Sequence, residues 1–544
     1  MWEKLKAGQK FEYTYAYVTK QGVFNYDHEK LSDVMYVDER LQEVKDSRGF
    51  IVLAFAINDT LQRHTFTTEE FEEKKVKLLS HFGFLVQPLH KNLLNEYLVE
   101  QYQTLASKRI YSHVGFLPPS SVMDMEQIVF GLSIPVSTER QALKWDQQSC
   151  DFDVSAEGDI KVWRKMVMEQ VINSLYLSLA LGMGFSSIII GYLHRVGKPV
   201  DTAIFHLVGR STTGKTTAGG LAISVWGCPT KRERGLFQSW NATSNAMIKK
   251  LSKNNGVALL LDETSMSEVK DFTSIIYRMA EGRDKERSTR TGQLAEKGEW
   301  ATTLITTGES SVLENTNKNA GLYVRLQEFA DIQWTESAEQ ADAIKSVISE
   351  HYGKAGLLFA RELAKEWTVI PTVYEKWTDE LVQIIPKSDY SERVIQRYAA
   401  ILAGLELAQK PLKLEFNLTG IVELIAKIEA KLNVERSIAD TIYKAVLKDV
   451  PVTLNSFIYD NHYPSGECKG KIRKCKDYYE VSYYPQAFEK LIQPFATNLK
   501  VVEESLKNAE FYLREGDRNH KRMFDMDGNR TIVYSFKVPL STIL

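Results

Sequence analysis

One stretch of the sequence, residues 204–217, restricts the fold more than any other. Ile204 to Val208 is a short apolar run typical of a buried β-strand, and a loop of the pattern Gly-x-x-x-x-Gly-Lys-Thr follows it. Small residues typical of a helix start come next. A strand, this loop and a helix in succession form the context in which the pattern is a phosphate-binding P-loop.

Each residue type in this loop has a chemical reason. Gly209 and Gly214 allow consecutive backbone N–H groups to turn inward around phosphate oxygens, and the helix N-terminus adds the positive end of a dipole. Lys215 offers a point charge to the β- and γ-phosphates, and Thr216 offers a hydroxyl to Mg²⁺. We therefore expect binding of ATP with Mg²⁺. The predicted nucleotide-binding residues are Gly209, Ser211, Thr212, Thr213, Gly214, Lys215, Thr216 and Thr217.

Length and composition set the wider limits. The 544 residues suggest about three domains, and 44% hydrophobic with 25% charged residues is ordinary for a globular protein. A net charge of −2 excludes a global basic field, so any nucleic-acid surface must be local. The four cysteines are scattered, which indicates a reducing compartment, and the spacing of Cys468 and Cys475 does not fit a zinc site.

An uncharged stretch at residues 175–193 is long enough to cross a bilayer. Two glycines and two serines in its middle (Gly182, Gly184, Ser186 and Ser187) predict a break between two short helices. This favours a buried helical pair beneath the P-loop strand over a membrane span. The N-terminus lacks the apolar run of a signal peptide. We expect a cytoplasmic protein without a membrane partner.

The first part of the chain, residues 1–155, is predicted to be a small β-rich domain. Phe11–Val18 and Gly49–Ile57 alternate or concentrate apolar residues as strands do, and Pro88–Lys108 has helical periodicity. The aromatic residues on these strands favour a core role over a base-stacking face. The sequence indicates no catalytic constellation here, and the role of this domain stays open.

A second buried strand is predicted to deliver two carboxylates. Five apolar residues from Val257 end in Asp262 and Glu263, and in a parallel sheet these lie at the same edge as the P-loop. Asp262 is expected to hold Mg²⁺, directly or through water, and Glu263 to orient and deprotonate the attacking water. Thr307, at the end of the next predicted strand, is expected to contact the γ-phosphate or that water. A solvated acidic pair is the weaker alternative.

Three further segments contain informative arginines. Residues 278–298 are rich in cations and predict either a basic hairpin projecting from the core or a solvated loop. Arg325 lies inside an apolar stretch, where arginine is seldom found without a partner. It is predicted either to reach a neighbour's γ-phosphate as an arginine finger or to pair with Glu328. Residues 336–437 are predicted to form a helical lid, with Arg393 near the start of one helix facing nucleotide.

The last part, residues 438–544, predicts helices followed by a terminal β-hairpin, with Asp527-Gly528-Asn529 at the turn. This succession fits a winged helix, a fold that docks on DNA. Its cations are predicted to contact phosphates without specifying sequence, whereas surface loops balanced by nearby acids are the alternative. The cations are Lys471, Arg473, Lys474, Arg518, Lys521, Arg522 and Arg530.

Five motifs together carry a family resemblance. They are residues 209–216, Ser-Trp-Asn-Ala-Thr-Ser-Asn at 239–245, Leu-Leu-Leu-Asp-Glu at 259–263, Thr-Thr-Gly-Glu at 306–309 and Arg-Val-x-x-Arg at 393–397. In this combination the chain resembles the Cch-type helicases of staphylococcal cassette chromosome elements. These are AAA+ ATPases related to the MCM replicative helicases, in a family formerly known only as a domain of unknown function. The resemblance spans roughly residues 10 to 410.

The resemblance implies an α/β fold with three parts: the β-rich domain, a P-loop AAA+ core with an α-helical lid at 156–437, and a winged-helix-like domain. It also implies a hexameric ring, single-stranded DNA in the central pore and ATP sites between subunits. Lys215, Thr216, Asp262 and Glu263 match the Walker residues by position. Thr307 matches sensor 1, where MCM relatives usually carry Asn. Arg325 matches the finger, and Arg393 matches sensor 2. A pre-sensor hairpin facing DNA would contain Lys285, Arg287, Arg290 and Lys297.

The sequence thus favours an ATP-dependent DNA helicase acting in replication of a mobile genetic element. Its expected partners are further copies of the chain, single-stranded DNA, possible duplex at the winged helix, and a primase or other element-encoded replication protein. One alternative is an AAA+ ATPase that remodels or assembles protein partners. Another is an ATP-binding DNA initiator without unwinding, in which Glu263 is not a base.

Overall fold

A computed structural model shows a mixed α/β protein. The structure describes residues 9–44, 47–58, 60–117, 128–139, 142–147, 150–231, 234–264, 272–284, 298–313, 322, 325–387, 391–436, 438–460, 462–494, 499–507, 509–516, 520–524 and 529–542.

The N-terminal part is built mainly from short strands. The first four pair in chain order as one sheet: β1 (Phe11–Glu12), β2 (Tyr17–Thr19), β3 (Gly22–Phe24) and β4 (Lys30–Ser32). The next strands are β5 (Met35–Glu43), β6 (Gly49–Ile57), β7 (Thr60–Thr67), β8 (Ser107–Tyr111), β9 (Val114–Phe116), β10 (Phe130–Gly131), β11 (Pro135–Val136) and β12 (Leu143–Trp145). Helices α1 (Thr68–Lys74) and α2 (Lys91–Thr104) lie between β7 and β8. A second sheet has the order β12-β8-β5-β6-β7.

The central sheet is parallel and almost fully buried. The strands in this part of the chain are β13 (Ala203–Val208), β14 (Phe237–Ser239), β15 (Asn254–Asn255), β16 (Leu259–Asp262), β17 (Thr303–Gly308) and β18 (Leu326–Ala330). The order in space is β14-β16-β17-β13-β18, and every neighbouring pair is parallel. Strand β15 pairs instead with β9, in a small sheet shared with the N-terminal part. The strand β17 therefore separates the predicted P-loop strand β13 from the acidic strand β16.

Helices surround this sheet and continue beyond it. They are α3 (Ile160–Gln170), α4 (Leu175–Arg195), α5 (Lys215–Ser224), α6 (Ser244–Leu251), α7 (Thr273–Glu281), α8 (Ala338–Glu350), α9 (Lys354–Leu363), α10 (Val369–Ile384), α11 (Ser391–Leu412) and α12 (Leu418–Arg436). The helical interpretation of residues 336–437 is confirmed at the level of secondary structure, because the described residues of this segment form the five helices α8 to α12.

The predicted break in the uncharged stretch is wrong, because α4 is one continuous helix of 21 residues. Its serines stay within the helical bonding pattern, since Ser186 Oγ donates to the carbonyl of Met183 at 2.7 Å. Gly184 permits close contact instead of a turn: a Cβ there would lie 2.2 Å from the carbonyl oxygen of Ala222 in α5. Length and composition alone would allow this helix to cross a membrane, but 89% of its most apolar window is buried inside the protein.

The C-terminal part combines helices with an antiparallel sheet. Its elements are α13 (Ile438–Val452), β19 (Phe457–Ile458), β20 (Gly470–Lys474), β21 (Tyr478–Tyr483), α14 (Pro485–Ile492), α15 (Leu499–Leu506), β22 (Tyr512–Leu513), β23 (Lys521–Phe524) and β24 (Arg530–Pro539). Strands β23 and β24 pair antiparallel with Phe524 opposite Arg530. The predicted terminal hairpin is therefore present, although Asp527 and Gly528 of its turn lie outside the described residues.

Three large hydrophobic cores follow the chain. One contains residues between 16 and 98, one contains residues between 114 and 425, and one contains residues between 439 and 538. The middle core includes Val114, Phe130 and Phe152, which the sequence interpretation placed in the N-terminal domain. These three residues thus pack with the central sheet, whereas β12 pairs with β8 of the N-terminal part, and the boundary at 155 stays a prediction.

Candidate functional site

The glycine-rich loop joins β13 to α5, as the strand–loop–helix pattern predicts. Gly214 precedes the helix in the left-handed conformation, with φ +82°, and a Cβ there would lie 2.4 Å from Oγ1 of Thr335. Both the backbone angle and the lack of space require glycine. The Trp334 N–H donates to the carbonyl of Thr213 at 2.8 Å. The segment after β18, which contains Trp334 and Thr335, therefore packs against the loop and holds it in place.

Lys215 begins α5 and is buried. Its Nζ donates to the carbonyl oxygens of Gly209 and Arg210, each at 2.7 Å. Burial lowers the pKa of Lys215, while the carboxylates of Glu263, Glu309 and Asp262 act in the opposite direction. The ammonium of Lys215 is thus held by two carbonyl oxygens of the loop and lies within the influence of three carboxylates.

Asp262 ends β16 and is the meeting point of three side chains. Its Oδ1 accepts from Thr216 Oγ1 at 3.1 Å and from Thr307 Oγ1 at 2.7 Å. Its Oδ2 forms an ion pair with Lys231 Nζ at 2.8 Å. The parallel order of the sheet brings these groups together, since β13, β17 and β16 all end at one edge.

Glu263 follows Asp262 with φ +63°, a region that residues with side chains rarely adopt. Its backbone N–H donates to Thr307 Oγ1 at 3.0 Å. Thr307 is buried at the end of β17, so one hydroxyl fixes both acidic residues. The structure therefore brings Lys215, Thr216, Asp262, Glu263 and Thr307 to one place.

The remaining loop residues differ in exposure. Ser211 and Thr212 are exposed, whereas Thr217 is buried, and Ser211 Oγ donates to Glu309 Oε1 at 2.5 Å. Thr212 has φ +72°, which contributes to the turn of the loop. The nucleotide contacts of these residues stay predictions.

Three residues near this site were given no role from the sequence. Lys231 belongs to a loop whose charges are unremarkable in isolation, so the sequence carries no signal for its position. Glu309 is part of the Thr-Thr-Gly-Glu motif of the family resemblance, which does not define its contacts. His206 lies within the apolar run of β13 and is fully buried. Its Nε2 donates to the carbonyl of Ser310 at 3.3 Å, and its Nδ1 accepts from Thr306 Oγ1 at 2.5 Å. Burial lowers the pKa of His206 to about 4. For His206, the sequence signal that could have been used is a histidine within an apolar strand.

The donor set fits a nucleotide with its metal ion. Hydroxyl and carboxylate oxygens are the protein ligands that Mg²⁺ uses beside substrate phosphates, and Thr216 and Asp262 present one of each at 3.1 Å from one another. Lys215 and the N-terminus of α5 provide the positive field that phosphates need.

Arg325 lies away from this edge. It directly precedes β18, whose residue Leu326 pairs with Ile204 at the start of β13. Its guanidinium packs over the ring of Tyr277 in α7, with Cζ 4.2 Å from the ring centroid. The alternative pairing of Arg325 with Glu328 stays a prediction. Glu328 accepts from Ser311 Oγ at 2.7 Å and from the Val312 N–H at 2.9 Å.

Residues 19–299 match the sequence pattern of the family described as domain of unknown function DUF927. This match covers just over half of the 544 residues. The chain belongs to the DUF927 family. Among solved structures, it is similar to one described as SCCmec type IV Cch, an active helicase. The two chains are 22% identical, the match covers 98% of each, and the TM-score is 0.80. No curated protein sequence matches the chain.

These findings confirm the predicted resemblance to the Cch-type family and the mixed α/β fold with a parallel sheet. At this level of identity the structural likeness concerns the fold of the DUF927 chain. Because it covers nearly the whole of both chains, it extends to the C-terminal part beyond the family match.

A buried polar network connects the strand after Arg325 to two helices of this DUF927 protein. Gln327 Nε2 of β18 donates to Tyr398 Oη of α11 at 2.9 Å and also to Glu429 of α12. Tyr398 Oη donates to Glu429 Oε1 at 2.8 Å. Arg393 is exposed in the first turn of α11, so the structure does not bring it to the P-loop by any contact among described residues. Its sensor role stays a prediction.

The predicted DNA contacts fall into two groups. Lys285, Arg287, Arg290, Lys297 and Arg518 lie outside the described residues. Of the others, Arg473 and Lys521 both pair with Glu480, each at 2.5 Å, and Lys471 donates to the carbonyl of Phe524 at 2.6 Å. Lys474, Arg522 and Arg530 are exposed. Nearby acid therefore balances part of this basic surface, as the alternative interpretation expected, while three cations face solvent.

Proposed function

We propose that this protein is an ATP-dependent DNA helicase, an AAA+ ring motor that acts in replication of a mobile genetic element. The observation that carries the proposal is the position of the Thr307 hydroxyl between Asp262 and Glu263. A strand inserted between the P-loop strand and the acidic strand holds this hydroxyl in place. This hydroxyl holds the backbone N–H of Glu263, the residue proposed to accept the proton of the attacking water.

Each residue has a role in this proposal. Lys215 binds the β- and γ-phosphates, and Thr216 with Asp262 holds Mg²⁺. The bound ion supplies charge neutralisation at the phosphates. Glu263 orients the attacking water and accepts its proton, while Thr307 positions Glu263 and contacts the water or the γ-phosphate.

The location of Arg325 supports shared sites between subunits. It lies at the opposite edge of the sheet from the P-loop of its own chain, and five residues of strand span roughly 16 Å. An arginine side chain is too short to cross this distance. Arg325 is therefore proposed to reach the γ-phosphate of a neighbouring copy, in a hexameric ring like that expected for the Cch type.

The substrate is proposed to be DNA. The similar solved structure is described as an active helicase, and the fold agrees over nearly the whole chain. Single-stranded DNA would pass the basic segment at 285–297 in the pore. Lys474, Arg522 and Arg530 of a winged-helix-like domain at 438–544 would contact duplex phosphates. The proposal further includes an N-terminal domain at 1–155 and an ATPase domain at 156–437, in which Arg393 is the sensor 2 arginine. It also includes a primase as a partner and a cytoplasmic location.

The test is ATP turnover with and without single-stranded DNA, with strand separation measured in parallel, on wild type, Lys215→Ala and Glu263→Gln. A helicase shows DNA-stimulated turnover and unwinding, and both variants lose both activities. Turnover that ignores DNA would instead support an ATPase acting on protein partners. If wild type binds ATP and DNA without turnover above background and Glu263→Gln behaves identically, ATP is a structural ligand of a DNA-binding initiator.

A further inference from the structure

The side chain of Lys231 reaches the candidate metal position from outside the predicted motifs. Lys231 lies in the loop between α5 and β14, and its Nζ is 2.8 Å from Oδ2 of Asp262. The same ammonium lies 5.1 Å from the ring centroid of Phe237 at the start of β14. Asp262 is buried, whereas 60% of the Lys231 side chain is exposed. A flexible, solvated cation thus covers one oxygen of a buried carboxylate.

The other contacts at this carboxylate make Lys231 its counter-charge. Oδ1 accepts from two neutral hydroxyls, those of Thr216 and Thr307. The nearby Lys215 directs its ammonium to the carbonyl oxygens of the loop. A buried carboxylate is stabilised by a nearby cation or by several donors, and the Lys231 ammonium, 2.8 Å from Oδ2, is a cation in direct contact with this carboxylate.

We propose that Lys231 is a stand-in for the metal ion: it neutralises Asp262 in the nucleotide-free protein and leaves when Mg²⁺ arrives with the nucleotide. This inference rests on the proposed Mg·ATP site. A divalent ion held by Thr216 and Asp262 places two positive charges beside the ammonium, and the repulsion favours departure of the side chain into solvent. Lys231 therefore raises the Mg²⁺ concentration at which the site fills.

The size of the effect follows from the exposure of the pair. Ion pairs of this kind contribute an amount that corresponds to about a two- to fivefold change in an equilibrium constant. Removal of the ammonium lowers the half-saturating Mg²⁺ concentration by that factor. It also weakens nucleotide binding without Mg²⁺, because the bare carboxylate then repels the phosphates. These opposite changes distinguish a stand-in from an ordinary surface ion pair.

The experiment measures binding of a fluorescent ADP analogue, so that no turnover is required. Mg²⁺ is titrated against wild type, Lys231→Met and Lys231→Arg, and binding is also measured in EDTA. Lys108→Met is the matched control, because Lys108 also pairs at 2.8 Å with a carboxylate, that of Glu39, and its side chain is 59% exposed. We expect the Mg²⁺ midpoint to fall only in Lys231→Met, with weaker binding in EDTA.

Two results would overturn this inference. An unchanged Mg²⁺ midpoint in Lys231→Met would show that the ion pair does not compete with the metal. A loss of Mg·nucleotide binding in Lys231→Met would show that Lys231 is a phosphate ligand. A wild-type protein that binds no nucleotide under either condition would instead remove the proposed function itself, which keeps the two failures distinct.

Discussion

The hydroxyl of Thr307 donates to Oδ1 of Asp262 at 2.7 Å across the boundary of two neighbouring strands. The Thr307 hydroxyl oxygen in turn accepts the backbone N–H of Glu263, the residue after Asp262, at 3.0 Å. The donor and one acceptor site of the Thr307 hydroxyl are therefore both in use. Threonine has one donor and accepts at the same oxygen, which is sufficient for both contacts.

Thr307→Ala should lower ATP turnover strongly while nucleotide still binds. The change removes the group that fixes Glu263, and loss of one positioned polar group at a reacting centre costs on the order of 10²-fold in rate. Thr307→Ser keeps the hydroxyl and should retain most of the turnover. Steady-state turnover and binding of a fluorescent nucleotide are the measurements. Equal turnover in the alanine and serine variants would contradict the role given to the hydroxyl.

Arg325→Ala should abolish turnover at the P-loop of the neighbouring subunit and leave the P-loop of its own subunit competent. Mixtures of Arg325→Ala with Lys215→Ala contain some interfaces in which an intact P-loop faces an intact arginine, so turnover should reappear on mixing. Neither variant alone should show it. If mixing restores nothing although mixed oligomers form, Arg325 does not act between subunits.

Tyr277 should position Arg325 through its ring. The guanidinium packs on the ring at 4.2 Å, and a contact of this kind contributes about 0.5–2 kcal/mol depending on desolvation. Tyr277→Ala should therefore lower turnover several-fold, and Tyr277→Phe should not. In mixing experiments the Tyr277→Ala defect should follow the subunit that supplies the arginine. A defect that follows the subunit supplying the P-loop would refute this role.

His206 should make the central core less stable in acid. Its pKa is about 4 in the folded protein, below the value of about 6.5 expected in the unfolded chain. The unfolded state thus binds more protons between these values, and stability falls as pH decreases through this window. Between pH 7.5 and pH 5 the loss from this residue is about 2 kcal/mol.

The His206→Gln variant provides the comparison, because glutamine keeps polar contacts but does not titrate. Tryptophan fluorescence during urea denaturation is a suitable signal, since every tryptophan except Trp2 lies between residues 145 and 377. The variant should lose less stability than wild type over the same pH range. A parallel decrease in both proteins would exclude His206 as the cause.

Gly184→Ala should destabilise the core, and Gly220→Ala should not. Both changes add the same methyl group inside a helix, where alanine is intrinsically favoured by about 1 kcal/mol. The Cβ at 184 would lie 2.2 Å from a backbone oxygen, whereas at 220 the nearest atom is Ile348 Cδ1 at 3.5 Å. We expect Gly184→Ala to cost about 1–3 kcal/mol, measured by urea denaturation. Similar midpoints for the two variants would contradict the packing argument.

The sequence predicted those parts of the site that depend on local pattern. The P-loop, the acidic strand and Thr307 follow from strand runs that end in polar residues, because parallel strands end at a common edge. Lys231 was missed because a loop brings it to the site, and loop paths are not encoded in periodicity. Glu309 belongs to a motif of the family resemblance, but its contact with Ser211 was not predicted. The interpretation of Gly184 as a helix break was wrong for a related reason. Glycine in an apolar sequence can either break a helix or allow a second helix to pack closely against it. The sequence of the helix alone does not distinguish these two roles, because the second depends on the neighbouring helix.

The network of Gln327, Tyr398 and Glu429 has a mechanical consequence. Each of the three residues is at least 97% buried, and a carboxylate pulled from its donors in this interior would be left without compensation. Strand β18 and helices α11 and α12 are therefore held together as one rigid unit. Arg325 lies directly before β18, at one end of this unit, and the chain continues from α12 into the C-terminal part. A displacement of the C-terminal part would therefore be transmitted to Arg325.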